Sequence, residues 1–168
     1  MDAIESTMLH DFGQGLVPAH QHPNGNGWVA DTASVAESAF IGPRAQVYGA
    51  ARVRGSARVC DYARVSGDAR VCGRAQVYDY AQVYGAARVR GSARVYGEAR
   101  VCGRAQVYDY AQVYDARVRG RARVYGEARV YGDAQVCGEA RVRGRAQVFG
   151  EAMVCDRAMI GGTERVYA

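Results

Sequence analysis

Apolar and polar residues alternate along this chain with two superposed periods, and both are visible without any alignment. From Trp28 to Ala168 the sequence reads as Ala-x-Val-x-Gly-x, for example Ala93-Arg94-Val95-Tyr96-Gly97-Glu98 followed by Ala99-Arg100-Val101-Cys102-Gly103-Arg104. Ala and Val lie two apart, which puts both on one side of an extended strand and sends the residue between them to the other side. The apolar anchor recurs every six residues from Val29 through Val35 and Ile41 to Val113, slips by one to Val118, and continues in sixes to Val166, giving 24 units. Each unit is a short strand and a turn.

A strand with one Val and one Ala inside cannot bury enough surface alone, so successive units must stack on a shared core. Three strands per coil close a triangle of 18 residues with Gly or Asp at the bends, where positive φ is cheap for Gly. The fold class expected is all-β, a parallel β-helix or triangular solenoid of about eight coils of three hexads. Residues 1–27 lack the repeat and form an N-terminal capping segment, and residues 28–168 form the β-helix. Within the first segment Ile4, Met8, Leu9, Phe12, Leu16 and Val17, with Trp28 at the mouth of the first coil, make a plug for the open end.

Residues 72–101 recur as residues 102–130, one residue shorter at Asp115. Thirty residues are five hexads, so the copy is turned onto a different face. The missing residue tightens one corner and leaves the inward and outward alternation intact, since Val118 still follows Ala116 by two.

The repeat resembles the hexapeptide-repeat superfamily, whose members form left-handed parallel β-helices and include many acyltransferases. The segment from His22 to Ala33 and the Ala-x-Val-x-Gly-x style look like a bacterial and phage subgroup, some of its members named as transferases and most without an assigned activity. The acyltransferases carry glycine immediately after the aliphatic residue; here it stands two positions later. The resemblance also implies a histidine general base and a loop extruded from the coils. All three histidines, His10, His20 and His22, precede the repeats, and no insertion interrupts them. His20 and His22 fall on one side of an extended segment, yet no carboxylate or thiolate neighbours them in sequence, and a surface turn is the reading favoured over a metal site or base. No catalytic residue, metal ligand or cofactor is assigned, and no pocket is expected.

Sorting outward residues by face brings out two surfaces. The second face, through Val35, Val53 and every third unit onward, carries Arg52, Arg54, Arg70, Arg88, Arg90, Arg123, Arg141 and Arg143 as an anionic-partner site. The third face, through Ile41 and Val59, carries Tyr78, Tyr96, Tyr114, Tyr131, Phe149 and Tyr167, read as one stacked ladder and a protein interface. All 22 basic residues are Arg, and the repeats hold them against 14 acids. Two like charges ~5 Å apart repel by roughly 0.8 kcal/mol even in bulk water, so such rows call for anions or for corner acids such as Asp68, Glu98, Glu127, Asp133, Glu139 and Glu151.

The cysteines Cys60, Cys72, Cys102, Cys137 and Cys155 all point outward, without zinc-site spacing; Cys137 and Cys155 lie one coil apart, within reach of oxidation, although small exposed side chains are the expectation. No signal-peptide pattern opens the chain and no apolar run nears the ~20 residues a membrane helix needs, so a cytoplasmic location without membrane contact is expected. The repeat runs to Tyr167 with no cap, which points to a homo-oligomer, a dimer first. Three functions stay open: a non-catalytic scaffold that binds a protein partner or itself, in the phage subgroup a host protein; a nucleic-acid or anionic-ligand binder using the Arg face; and a trimeric acyl-carrier-dependent acyltransferase.

Overall fold

A computed structural model of the chain describes residues 8–168, and among them every regular element is a strand. The chain winds as a parallel β-solenoid of about eight turns with three sheets. Within the repeats the strands pair in parallel from one turn to the next, as Val71 does with Val53 and Val89. The first sheet runs through Val29, Val47 and Val65, the second through Val35, Val53 and Val71, and the third through Ile41, Val59 and Val77.

The core is the two inward columns. Every Ala and Val of these columns from Ala39 to Val148 is 0% exposed, and the packing loosens at both ends, at Ala33 and Val35 and toward Ile160 and Val166. The register shifts from 18 to 17 residues where the hexad is short, pairing Val101 with Val118 and Val113 with Val130 while Val118 stays fully buried. The deletion is absorbed at the Asp115 corner.

At the bends most positions are Gly with positive φ, such as Gly85 at 68°. Asp61, Asp79, Asp109, Asp115 and Asp156 take the same conformation at 54° to 60°. A side chain there costs energy that Gly avoids. Part of it is offset by a bond to the next coil: Asp79 Oδ2 accepts the N–H of Gly97 at 3.0 Å, and Asp109 Oδ2 that of Gly126 at 3.1 Å.

Among the described residues the N-terminal segment forms a hairpin and a loop. Leu9–Asp11 pairs antiparallel with Leu16–Gln21, which pairs antiparallel with Trp28–Ala30 of the first coil, so the hairpin extends the first sheet. Phe12, Ala19 and Ala30 are buried beside Trp28 and Tyr48, whereas Met8, Leu9, Leu16 and Val17 are exposed; Ile4 lies outside the described residues. Leu16 and Val17 are consecutive and both exposed, so neither face of the hairpin is covered at that point. The covering of the third sheet's edge falls to the loop that follows: Gly27 N–H donates to Ile41 O, Ile41 N–H to Asn24 O, and Asn24 Nδ2 to Ala39 O. A Cβ on Gly27 would collide with Gly42 O and the Ile41 side chain.

Candidate binding faces

The second sheet brings the eight arginines together as two outward columns. Arg52, Arg70 and Arg88 occupy consecutive rungs, then Gln106 intervenes before Arg123 and Arg141. Beyond the valines stand Arg54, Arg90 and Arg143. All eight are exposed. The ion pairs that arginines make among the described residues are Arg121 with Glu139 (3.2 Å), Arg145 with Glu127 (3.0 Å) and Arg157 with Glu139 (3.5 Å), all at corners. Corner acids therefore neutralise corner arginines and leave the wall unpaired. The second sheet carries eight outward arginines where each of the other two carries four. Two aromatic rings interrupt the wall: Tyr108 stacks on Tyr125 at 4.9 Å, with the Arg90 guanidinium 4.5 Å above Tyr108.

On the third sheet the expected ladder of six is two runs of three. Tyr78, Tyr96 and Tyr114 stack at 5.0 and 4.9 Å, and Tyr131, Phe149 and Tyr167 at 5.1 and 5.5 Å, with no stacking between Tyr114 and Tyr131. The short hexad explains the break. Tyr96 and Tyr131 lean along the sheet to donate to Gln112 and Gln147 of the next turn. Tyr114 leans back over Gly97, and the neighbouring Asp115 carboxylate pushes its phenol above the usual range. A gap of about 240 Å³ is left beside Tyr114, Arg129 and Tyr131.

A larger gap, about 510 Å³, opens at the head of the same column around Phe40, Gly42, Arg58, Cys60, Asp61 and Tyr78. The pocket-free surface expected from the absence of insertions is thus corrected: at the head of this column space arises where two rungs lack a ring. The signal lay in the sequence, since Gly42 and Cys60 stand where later rungs carry aromatics. Corner stacking was also missed. Tyr62 lies 5.0 Å from Tyr80, and Arg44 donates to the Tyr62 hydroxyl at 2.7 Å; their 18-residue spacing marks them as one column.

The histidines are separated by the hairpin. His10 stacks on Trp28 at 4.3 Å, and His22 is buried in the capping loop, where Asn24 N–H donates to its Nδ1. His20 does have a carboxylate partner, Asp31, 2.8 Å from its Nδ1; the antiparallel return that joins positions 11 apart was hidden from a reading by neighbours in sequence. Asp31 also lines a mainly apolar cavity of about 420 Å³ between hairpin and sheet, with Phe12, Val17, Thr32 and Tyr48.

Cys137 and Cys155 form a disulfide across adjacent turns of the first sheet, which corrects the expectation of small free side chains. Their Cα atoms, 4.5 Å apart, fall within the range a bridge requires. Cys60, Cys72 and Cys102 are free; burial pushes the Cys60 thiol above its ordinary pKa, so it stays protonated and weakly nucleophilic at neutral pH. No His, Cys, Asp and Glu cluster suited to a metal is present among the described residues, and no helix there is long and apolar enough to cross a membrane.

Residues 81–97 and 122–138 match a family model described as the YdcK beta solenoid repeat, which supports a β-solenoid repeat family. No curated protein and no solved structure matches the chain.

Proposed function

We propose that this chain is a non-catalytic rigid scaffold of the left-handed, triangular hexapeptide-repeat kind found in bacteria and phages, cytoplasmic, and acting through protein–protein contact. The period of six and three parallel sheets support that architecture. The observation that carries the function is the unpaired arginine wall. Eight guanidinium groups held on one stiff sheet, without acids to neutralise them, favour a partner that supplies carboxylates, because Arg binds these in bidentate fashion. The aromatic columns of the third face give a second copy of the chain its docking surface, making a homodimer.

The test compares retention on immobilised polyglutamate and on duplex DNA for the wild type and a variant with Arg88, Arg90, Arg141 and Arg143 changed to Gln. The expected result is elution of the variant from polyglutamate at lower salt with an unchanged melt. Equal elution of the two proteins overturns the reading, and tighter, steeply salt-dependent retention on DNA moves the partner to nucleic acid.

The His20–Asp31 pair beside a cavity of about 420 Å³ favours a second reading, a transferase with His20 as base. Acyl transfer from an acyl carrier that disappears in His20→Ala would establish it.

A further inference from the structure

From Tyr78 to Tyr167 every rung of the third sheet carries an aromatic ring in the same column, but the first two rungs carry Gly42 and Cys60. One side of the Tyr78 ring is covered by Tyr96 at 5.0 Å. Its other side faces the gap of about 510 Å³, a shallow depression open to solvent. The volume lies within the range that holds small ligands.

The rim of this gap carries both signs of charge. Arg58 is exposed, with its guanidinium 5.1 Å from the Phe40 ring centroid, and it takes part in no ion pair among the described residues. One oxygen of Asp61 accepts the Asp79 N–H at 3.4 Å, and its carboxylate has no other hydrogen bond among the described residues. Gln76 is the rung neighbour of Arg58 and adds an amide beside it, across the Tyr78 column from the Asp61 corner. A carboxylate suits a heterocycle edge with N–H donors, whereas a guanidinium with an amide N–H beside it suits a phosphate. The floor is the protonated Cys60 thiol, a small inert wall.

We propose that this gap is a nucleotide-binding site, separate from the second-face reading: the base stacks on Tyr78 in place of the missing ring, Asp61 bonds its edge at the corner, and Arg58, with Gln76 beside it, takes the phosphate on the other side. The same chemistry is offered by a free nucleotide and by an unpaired base in a single strand.

Guanosine monophosphate is titrated into the full chain and followed by amide NMR shifts. The expected result is saturable shifts at Gly42, Cys60 and Tyr78, with ribose 5-phosphate at least about fivefold weaker because stacking is absent. Cys60→Tyr places in the gap the residue that the same column carries at Tyr78 and Tyr96, so the fold stays intact while binding falls at least about tenfold. Tyr78→Ala weakens binding about 5- to 100-fold, the loss of one base stack. Unchanged affinity in Cys60→Tyr, or no shift in the wild type at millimolar ligand, overturns the proposal. A guanine-bearing single-stranded oligonucleotide that binds more tightly than the mononucleotide, with the same loss in Cys60→Tyr, assigns the base to a strand; equal affinity assigns it to the free nucleotide.

Discussion

Replacing Val95 by Asp tests the assigned register most directly. Val95 is 0% exposed and sits in the middle of the third sheet between Val77 and Val113. The substitution forgoes the burial of a Val side chain, about 1.5–3 kcal/mol. It also places an unpartnered carboxyl group in an apolar core, a further ~2–5 kcal/mol even after the group takes up a proton. The sum is comparable with the whole stability of an ordinary domain, about 5–15 kcal/mol. Val166→Asp, at a half-buried site in the last strand, costs far less, because in a solenoid each coil touches only its neighbours and a terminal coil frays without the rest. The pKa of the new carboxyl in the folded state lies above its unfolded value, so the penalty is greatest at neutral pH and shrinks as pH falls. Thermal unfolding followed by circular dichroism, at neutral pH and near pH 4, measures both effects. Equal melting of Val95→Asp and wild type, or an equal loss in Val166→Asp, refutes the inward assignment.

Gly27→Ala should lower stability by about 1–3 kcal/mol, read from the denaturant midpoint, since the added Cβ meets Gly42 O and the Ile41 side chain and forces the capping loop off the third sheet. Asp79→Ala should cost about 1–2 kcal/mol and Asp79→Gly much less, because only the first keeps a Cβ at positive φ while losing the bond to Gly97; paired denaturation curves check the order. Three N–H groups, those of Gly13, Gln14 and Gly15, point at the Asp11 carboxylate and hold its pKa below the usual range, so its contribution to the hairpin turn is full above about pH 4 and lost as pH falls through the lowered value; the Gly13 amide shift should follow that titration and stop moving in Asp11→Asn. Thiol titration of the denatured protein should find three groups before reduction and five after it.

The inward half of the molecule was legible because only one arrangement buries it. Ala and Val two apart, repeated every six, set strand length, stacking and face for each unit, and even the short hexad at Asp115 kept Val118 inside. Outward residues obey weaker constraints. Their columns could be assigned from the 18-residue spacing, but the lean of each ring depends on local neighbours: Tyr96 bonds Gln112, whereas Tyr114 leans back over Gly97. That choice splits the ladder. The hairpin has no repeat to set its register, so the meeting of His20 with Asp31 and the outward turn of Leu9 and Leu16 became visible only in the structure. Cys137 and Cys155 were legible as neighbours, while the bond between them was not.

The duplication bears on whether the arginine wall is incidental. Because the copy is turned by five hexads, it carries Arg88 and Arg90 of the second sheet to Arg117 and Arg119 of the first, Arg94 of the third to Arg123 of the second, and Arg100 of the first to Arg129 of the third. Copying by such a step spreads arginine over all three faces. It cannot concentrate eight on one face and four on each of the others. Arg52 and Arg54 belong to another repeat, since residues 48–59 recur letter for letter as residues 84–95, and that step of 36 residues is two full coils, which returns Arg88 and Arg90 to the same face. Arg70, Arg123, Arg141 and Arg143 lie outside that two-coil repeat, so it accounts for four of the eight arginines of the wall and leaves the other four to be explained by the face they share. A requirement for solubility alone would be met as well by arginine on any face. A partner that meets the second sheet as a surface requires it there.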